Sequence, residues 1–508
     1  MQWLSIILSQ AELLERDVLE VMALARSMKN TFAPINRISP EVLSLIARYC
    51  ERDGDQVTLT HVCRRWREIF ISHSPSWTSL DCTNVDKTCV YLERSKGSPL
   101  EIRIVDYSSL YNAFLLTVPH FSRLGSLSLF ASSENFPEFT KHLSSPAPLL
   151  RNLTLVVTDR EATTLQDTAF DGDLSSLREL YLNRVATSLA WKNMSNLRTF
   201  VLRDVPSNKI SVNQLLRFFE RAPLLRRITL QRAFPVSSDA PPGQVVPLPN
   251  LKFLDISAKQ SHTILIDHLS FPTGALITQD FTFSGPDSPI PFHLPRAFKN
   301  LKNLSNITSI NLNFKLGVNL RLRGPSGGLC MRGSWSGQGV APNLWDLPSL
   351  KKFRISEVER LAISQWSHTI PRQGTTEDPL FQTFLLMENL RTLTLTCCVN
   401  SSFFIALNPK ENDSRSLICP RLEELSVYSE KMDWFGSREL LEMAKERASG
   451  GAGLKTITIV GPQELVTAEE VFVLEAFGLH VECRVDDTPP EWDAIPGVSD
   501  DNGYESDE

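Results

Sequence analysis

The sequence predicts an α/β chain: a helical N-terminal segment, then an irregular repeat solenoid whose short strands form a parallel concave sheet. Three observations carry this. A six-residue formula, apolar at positions one, four and six, occurs eleven times between Leu124 and Ile459. Its second position is Lys or Arg in eight of the eleven copies, where 52 bases among 508 residues would give about one. The first eighty residues, well ahead of the first copy, are spaced differently, with apolar residues three and four apart, the period of a helix.

Residues 1–32 read as one helix, because Leu13, Leu14, Val18, Leu19, Val21 and Met22 recur near the spacing of one helical face. Phe32-Ala33-Pro34 ends it. Residues 33–80 read as a compact helical unit. Ser39-Pro40-Glu41 is a helix start: Ser39 accepts from exposed amides, Pro40 has its dihedral preset, and Glu41 suits the positive end of the helix dipole. Val42, Leu43, Leu45 and Ile46 then form an apolar stripe, and Asp53-Gly54-Asp55 breaks the helix. Leu59, Val62, Cys63, Trp66, Ile69 and Phe70 mark a second amphipathic helix, with Arg64, Arg65 and Arg67 on its other sides. A unit of about 45 residues is small for a core of its own, so burial against a partner is the natural remedy.

These residues resemble the F-box, the helical motif that docks the Skp-type adaptor of cullin-based ubiquitin ligases. The likeness covers roughly fifty residues. Ile38-Ser39-Pro40-Glu41-Val42-Leu43 stands where the family has Leu-Pro-x-Glu and an aliphatic pair, with Ile46 one turn on. Val62, Cys63 and Trp66 match its Val-Cys-x-x-Trp signature, and Trp77 its distal tryptophan. Ser39 departs from the usual proline. The layout is similar to the large F-box families of mushroom-forming fungi. The resemblance implies adaptor docking through Ile38, Pro40, Glu41, Val42, Leu43, Ile46, Val62, Cys63 and Trp66. The competing reading is that Leu43, Val62 and Trp66 pack a small helical core and that Cys63 is a small buried hydrophobe.

The repeat region, residues 81–483, begins its formula with LGSLSL at Leu124 and LRNLTL at Leu150, and keeps it through LKTITI at Leu454. It resembles the leucine-rich repeat, in which a short strand lines the concave face and a helix or irregular segment returns along the back. Positions four and six then face the core and position five faces outward. Val212–Arg221 and Arg438–Ala448 have the spacing of return helices. The first five intervals between formulas are 26, 27, 20, 28 and 26 residues; the next three, 56, 43 and 40, predict insertions or hidden repeats between Leu251 and Leu390. The Gly-rich run Gly324–Gly339 and the Pro-rich run Val236–Pro249 read as loops. The family's Asn or Cys at position nine is met only by Cys398, so the solenoid is expected to be irregular.

Composition sets the remaining bounds. With 42% hydrophobic and 22% charged residues the chain is an ordinary globular one. No run is apolar and long enough to span a bilayer, and the first ten residues lack the basic leader of a secretion signal. Nine scattered cysteines with no Cys-x-x-Cys suit a reducing compartment, cytoplasmic or nuclear. After Cys483 nine acids and one base give −8, so the rest of the −6 chain carries +2. Residues 484–508 therefore read as an acidic disordered tail, and the near-neutral body argues against a nucleic-acid partner.

No phosphate loop, dinucleotide fingerprint, Gly-x-Ser-x-Gly elbow or His-Glu-x-x-His is present, the nine histidines are isolated, and no cofactor or metal is expected. The expected function is therefore non-catalytic: the substrate-recognition subunit of a Skp-cullin-F-box type ligase, its repeats capturing an unidentified protein. Outward candidates for that capture are Tyr181, Asp255, Asn311 and Arg354. A scaffold that binds the adaptor without delivering a substrate is the alternative, and an enzyme built on the repeats a more remote one.

Overall fold

The computed structural model describes residues 2–47, 55–105, 111–206, 209–233, 243–258, 264–283, 300–313, 318–335, 350, 353–364, 379–396, 401–408, 418–429, 436–451, 453–461 and 465–485. The chain is mixed α/β, its strands pair mostly in parallel, and it divides into two compact units, Met1–Thr199 and Phe200–Glu508.

The first unit opens with helix α1 (Gln2–Phe32), followed by a 3-10 turn at Pro34–Arg37 and three short helices, α2 (Pro40–Ala47), α3 (Asp55–His61) and α4 (Arg64–Ser72). The break expected at Asp53-Gly54-Asp55 lies outside the described residues except for Asp55, which is the first residue of α3. Trp77 fastens this helical segment to the next helix, α5 (Val85–Ser95). Its indole is fully buried and donates to the Phe70 carbonyl at 2.8 Å. From α5, Tyr91 meets it edge to face and the Arg94 guanidinium lies 4.4 Å over its ring. Asn84 caps α5 by accepting from the Lys87 amide.

Five strands of this unit then pair in sequence order, all parallel: β1 (Ser79–Leu80), β2 (Leu100–Val105), β3 (Leu124–Ala131), β4 (Asn152–Val157) and β5 (Glu179–Asn183). Helices α6 (Tyr111–Thr117) and α7 (Phe136–Thr140) lie in the return segments. Strand β6 (Thr199–Arg203) sits at the division between the units.

In the second unit β7 (Arg227–Gln231), β8 (Phe253–Ala258) and β9 (Leu276–Phe283) are parallel neighbours, as are β13 (Arg360–Ser364), β14 (Thr392–Thr396), β15 (Glu424–Tyr428), β16 (Thr456–Gly461) and β17 (His480–Val485). Between these runs β10 (Ser309–Asn313), β11 (Val318–Arg323) and β12 (Gly328–Trp335) enter out of order. β12 pairs in parallel with β9, β11 runs antiparallel between β12 and β10, and β10 pairs in parallel with β13. An antiparallel excursion has thus been inserted into a parallel array.

Ten of the eleven formulas coincide with strands, and their three apolar positions are at most 8% exposed. The eleventh does not. Leu350, Phe353 and Ile355 are buried, but the strand of that repeat starts at Arg360, and Val358-Glu359-Arg360-Leu361-Ala362-Ile363 fills the same template eight residues later. Gly324–Gly339 is not simply a loop: Gly328–Trp335 is β12, and Gly324 to Gly327 form its connection to β11. A Cβ on Gly324, Gly327 or Gly328 would overlap the carbonyl oxygens of Asn306, Thr273 or Leu322, so the glycines serve close backbone approach rather than looseness. Within Val236–Pro249, Val246–Pro247 pairs with Leu269–Ser270, residues 236–242 lying outside the described ones.

The return helices form where expected, as α8 (Val212–Arg221), closed by a capping box of Ser211 and Gln214, and as α12 (Ser437–Ser449), with α9 (Ile264–Asp267), α10 (Pro379–Phe384) and α11 (Ser401–Ala406) between them. α13 (Ala468–Ala476) follows β16. Arg447 of α12 is fully buried and donates to the carbonyls of Ile418 at 2.8 Å, Cys419 at 2.7 Å and Leu407 at 3.4 Å. Burial holds its guanidinium below the ordinary arginine range. Arg447→Met is expected to cost about 2–4 kcal/mol by removing charge-assisted bonds to carbonyls held in the interior. Urea denaturation of the full chain measures this; an unchanged midpoint contradicts it.

Candidate functional site

The helical segment 34–77 is built around Leu43, Trp66 and Phe70, packed with Ile38, Leu59, Cys63 and Ile69. Trp66 and Phe70 meet edge to face with centroids 5.5 Å apart, as residues one turn apart on α4 can. A polar clasp fixes this core. Asn36 is buried; its Oδ1 accepts from Trp66 Nε1 at 2.9 Å, and its Nδ2 donates to the Asn30 carbonyl at 2.7 Å. Arg65 Nη2 donates to the Ile38 carbonyl at 2.7 Å, and Arg67 Nε to that of Thr60 at 3.0 Å. Two of the three arginines thus tie the segment to itself.

The residues predicted to dock the adaptor separate by burial. Leu43 and Trp66 point inward, into the core that holds the unit in shape. Ile38 and Cys63 are half-buried against the same core, the Cys63 sulfur 4.0 Å from Asn36 Oδ1. Pro40, Glu41, Val42 and Val62 are exposed, and Ile46 is 38% exposed. Glu41, hydrogen-bonded to its own amide and to Ser39 at the start of α2, has its carboxyl held below the ordinary range. The spacing of three and four puts Val42, Leu45 and Ile46 on one side of α2, away from Leu43. Ile35 and Val57 add to the aliphatic surface of the unit: both are exposed, as Leu45 of the expected stripe is, and neither Ile35 nor Val57 stood out in the sequence. Asn36 escaped notice as well, since nothing in Pro-Ile-Asn-Arg distinguishes a buried asparagine from a turn residue.

On the repeats, register decides which side chains share a face. In the second unit Asp255 pairs with Thr229 and Thr278, Thr278 with Cys330, Cys330 with Arg321, and Arg321 with Asn311. Asp255 and Asn311 therefore stand in one transverse row, joined by residues of the inserted hairpin that the formula could not reveal. The next row includes Asp280 and Arg332, a bidentate pair at 2.7 and 3.1 Å. Asn311 also lines a shallow cleft of about 570 Å³ with Ser309, Arg323, Arg360 and Thr394. Tyr181, in the first unit, is half-buried and in register with Thr154. Arg354 is exposed but precedes a 3-10 turn at Ile355–Glu357 rather than lying on a strand; Ala362 occupies the position predicted for it, because the strand starts later.

Asp255 is a perturbed carboxylate on this face. Burial raises its pKa, and Asp280 adds to the shift, while a 3.0 Å bond from Gln231 and the charges of Arg332 and Arg203 oppose it. Its second oxygen is buried without a hydrogen-bond partner. Burial likewise pushes up the Cys330 thiol, and drives those of Cys82 and Cys419 up to about 12, which makes these three thiols poor nucleophiles. Among the described residues no group of three or more His, Cys, Asp or Glu is placed to hold a metal ion, and no helix is long and apolar enough to cross a membrane. No protein-family model matches the chain, and no curated protein matches it.

The Asp255 shift has a pH signature. With its pKa above the unfolded value, ionising this carboxyl costs folding free energy at pH above that range and nothing well below it, where both states are protonated. Asp255→Asn is expected to raise the melting temperature at pH 7, the gain shrinking as the pH falls towards about 4, where an unfolded aspartate titrates. A gain of equal size at both pH values, or none at pH 7, contradicts the assignment.

Proposed function

We propose that the chain is the substrate-recognition subunit of a Skp-cullin-F-box type ubiquitin ligase, with segment 34–77 docking the adaptor and the repeats holding a protein target. One observation carries the reading. The ordered motif residues form a helical unit with Leu43 and Trp66 inside it, while Val42, Leu45, Val57 and Val62 are left exposed on the outside. Aliphatic side chains on so small a unit gain from being covered, at about 25 cal/mol per Å² of apolar surface buried. The spacing of Val42 and Leu45 on one face of α2 suits a flat protein surface better than a small-molecule cavity.

The contribution of such a chain is proximity. A target held near a charged ubiquitin carrier sees an effective concentration far above its cellular one, and the assembled ligase supplies the chemistry. The polar rows around Asp255, Arg321, Asn311, Asp280 and Arg332, with the cleft beside Arg323 and Arg360, are the surface proposed for the target. Their mixed charges favour a polar segment with at least one acidic group.

The test uses exposed residues, since replacing Leu43 or Trp66 would confound docking with unfolding. Val42→Asp combined with Leu45→Asp is expected to weaken adaptor recovery in pull-downs from cells with the proteasome blocked by at least tenfold, with the melting temperature unchanged. Equal recovery of adaptor by both chains overturns the docking assignment. Cullin in the same pull-down distinguishes a ligase subunit from a scaffold: recovery of the adaptor with no cullin supports the scaffold.

A further inference from the structure

Helix α1 has no core of its own. Among the described residues its large apolar side chains, from Trp3 to Phe32, are exposed, and it packs against the 3-10 turn that succeeds it. Its apolar residues are nevertheless ordered. Starting at Leu4 and stepping alternately three and four residues gives positions 4, 7, 11, 14, 18, 21, 25, 28 and 32, and all nine are apolar. Of the other 22 positions of the helix only eight are apolar, and all seven charged residues fall among them. A generally greasy helix would scatter its apolar residues over every face. This one concentrates them on a seam with a period of 3.5, the repeat that winds two helices into a left-handed supercoil.

We infer that α1 pairs with α1 of a second copy of this chain, in parallel and in register, as a two-stranded coiled coil. The seam is long enough. Thirty-one residues at 1.5 Å make a rod of about 46 Å, and nine seam positions fill four heptads. The area is sufficient too. Apart from two alanines, seven large side chains per helix each have on the order of 100 Å² to bury, about 1,400 Å² for the pair, within the range of stable interfaces.

A second copy is the occupant that needs no further fitting, because an identical seam is self-complementary about a two-fold axis. The flanking positions permit the parallel arrangement. With Leu4 at position a, the contacts that flank the seam join Gln10 to Glu15, Asp17 to Met22 and Leu24 to Lys29 of the other copy, and none places like charges together. Small residues at position a, Ala11 and Ala25, bring the two backbones close there.

The mass of the full-length chain in solution tests this. Sedimentation equilibrium at tens of micromolar is expected to give two copies, about 114 kDa from twice 57.2 kDa. Leu14→Glu with Val21→Glu, both on the seam, is expected to give one copy, whereas Leu13→Glu with Leu19→Glu, also exposed but off the seam, leaves the dimer intact. A single-copy mass for the unaltered chain, a trimer, or equal dissociation by both variants overturns the inference. Orientation is read separately. Ala25→Cys should form a disulfide between copies, located by mass spectrometry, and Ala23→Cys, on the far side of the helix, should not; a failure of Ala25→Cys to cross-link overturns the parallel register. Adaptor recovery by the seam variant separates this outcome from the docking assignment, since charges on α1 leave Val42 and Leu45 in place.

Discussion

Neighbouring repeats are fastened together through a shared carbonyl. The oxygen at position two accepts two amides of the following repeat, from positions two and three: Arg151 from Arg178 and Glu179, Arg178 from Arg198 and Thr199, Arg226 from Lys252 and Phe253, Arg391 from Glu423 and Glu424, Glu423 from Lys455 and Thr456. This doubly accepting carbonyl sets the register in which positions four and six of adjacent strands stack. It demands that position two lie at the start of the strand with its side chain directed away from the core, and the bases described there are exposed. The side chain is free to be long and charged because only its backbone is engaged, and Arg391 and Lys455 use that freedom to flank Glu423. A slip of one residue in any strand would turn its buried leucines outward, so the lattice is intolerant of frame errors.

The helical unit ahead of the repeats is held by different means. Its core is small, and the buried amide of Asn36 stands between the end of α1 and the indole of Trp66, converting a hydrophobic cluster into one with a fixed orientation. Trp77 then couples the unit to the first return helix. The two tryptophans of the motif thus have internal structural roles, and the aliphatic residues Val42, Leu45, Val57 and Val62 remain at the surface.

Much of this was legible from the chain and some of it was not, for definite reasons. Leucines at fixed spacing with a base behind them report a strand because burial and the position-two bond constrain both at once. Strand β9 left no such mark. Its template positions one and six are occupied by Gly274 and Gln279, the latter buried with an unpartnered Oε1, so the pattern that identifies its neighbours is absent. At Leu350 two frames fit the formula, and only the second becomes a strand, which displaced Arg354 from the face predicted for it. The inserted hairpin was hidden by its glycines, which read as a loop although three of them permit tight backbone packing. In the helical unit the apolar spacing marked helical stretches, but it ran α3 and α4 together across the break at Val62-Cys63 and did not show which residues face inward: Leu43 and Val42 are adjacent in the same motif and have opposite fates. The position of Asn36 required the fold itself.

A preformed helical unit, aliphatic on the outside, is thus joined to repeats whose polar face is ordered by register. On the proposed function, an adaptor covers the surface of α2 and α3 while the core beneath is already in place. Hydrogen exchange of the full chain, alone and with a Skp-type adaptor, addresses this most directly. Amides of α4 beneath Trp66 are expected to be protected in both states, those of α2 and α3 to slow on addition of the adaptor, and those of β7 to β9 to stay as they were. Unaltered exchange in α2 and α3 at saturating adaptor, or protection appearing on the repeat strands instead, would contradict adaptor docking at this surface.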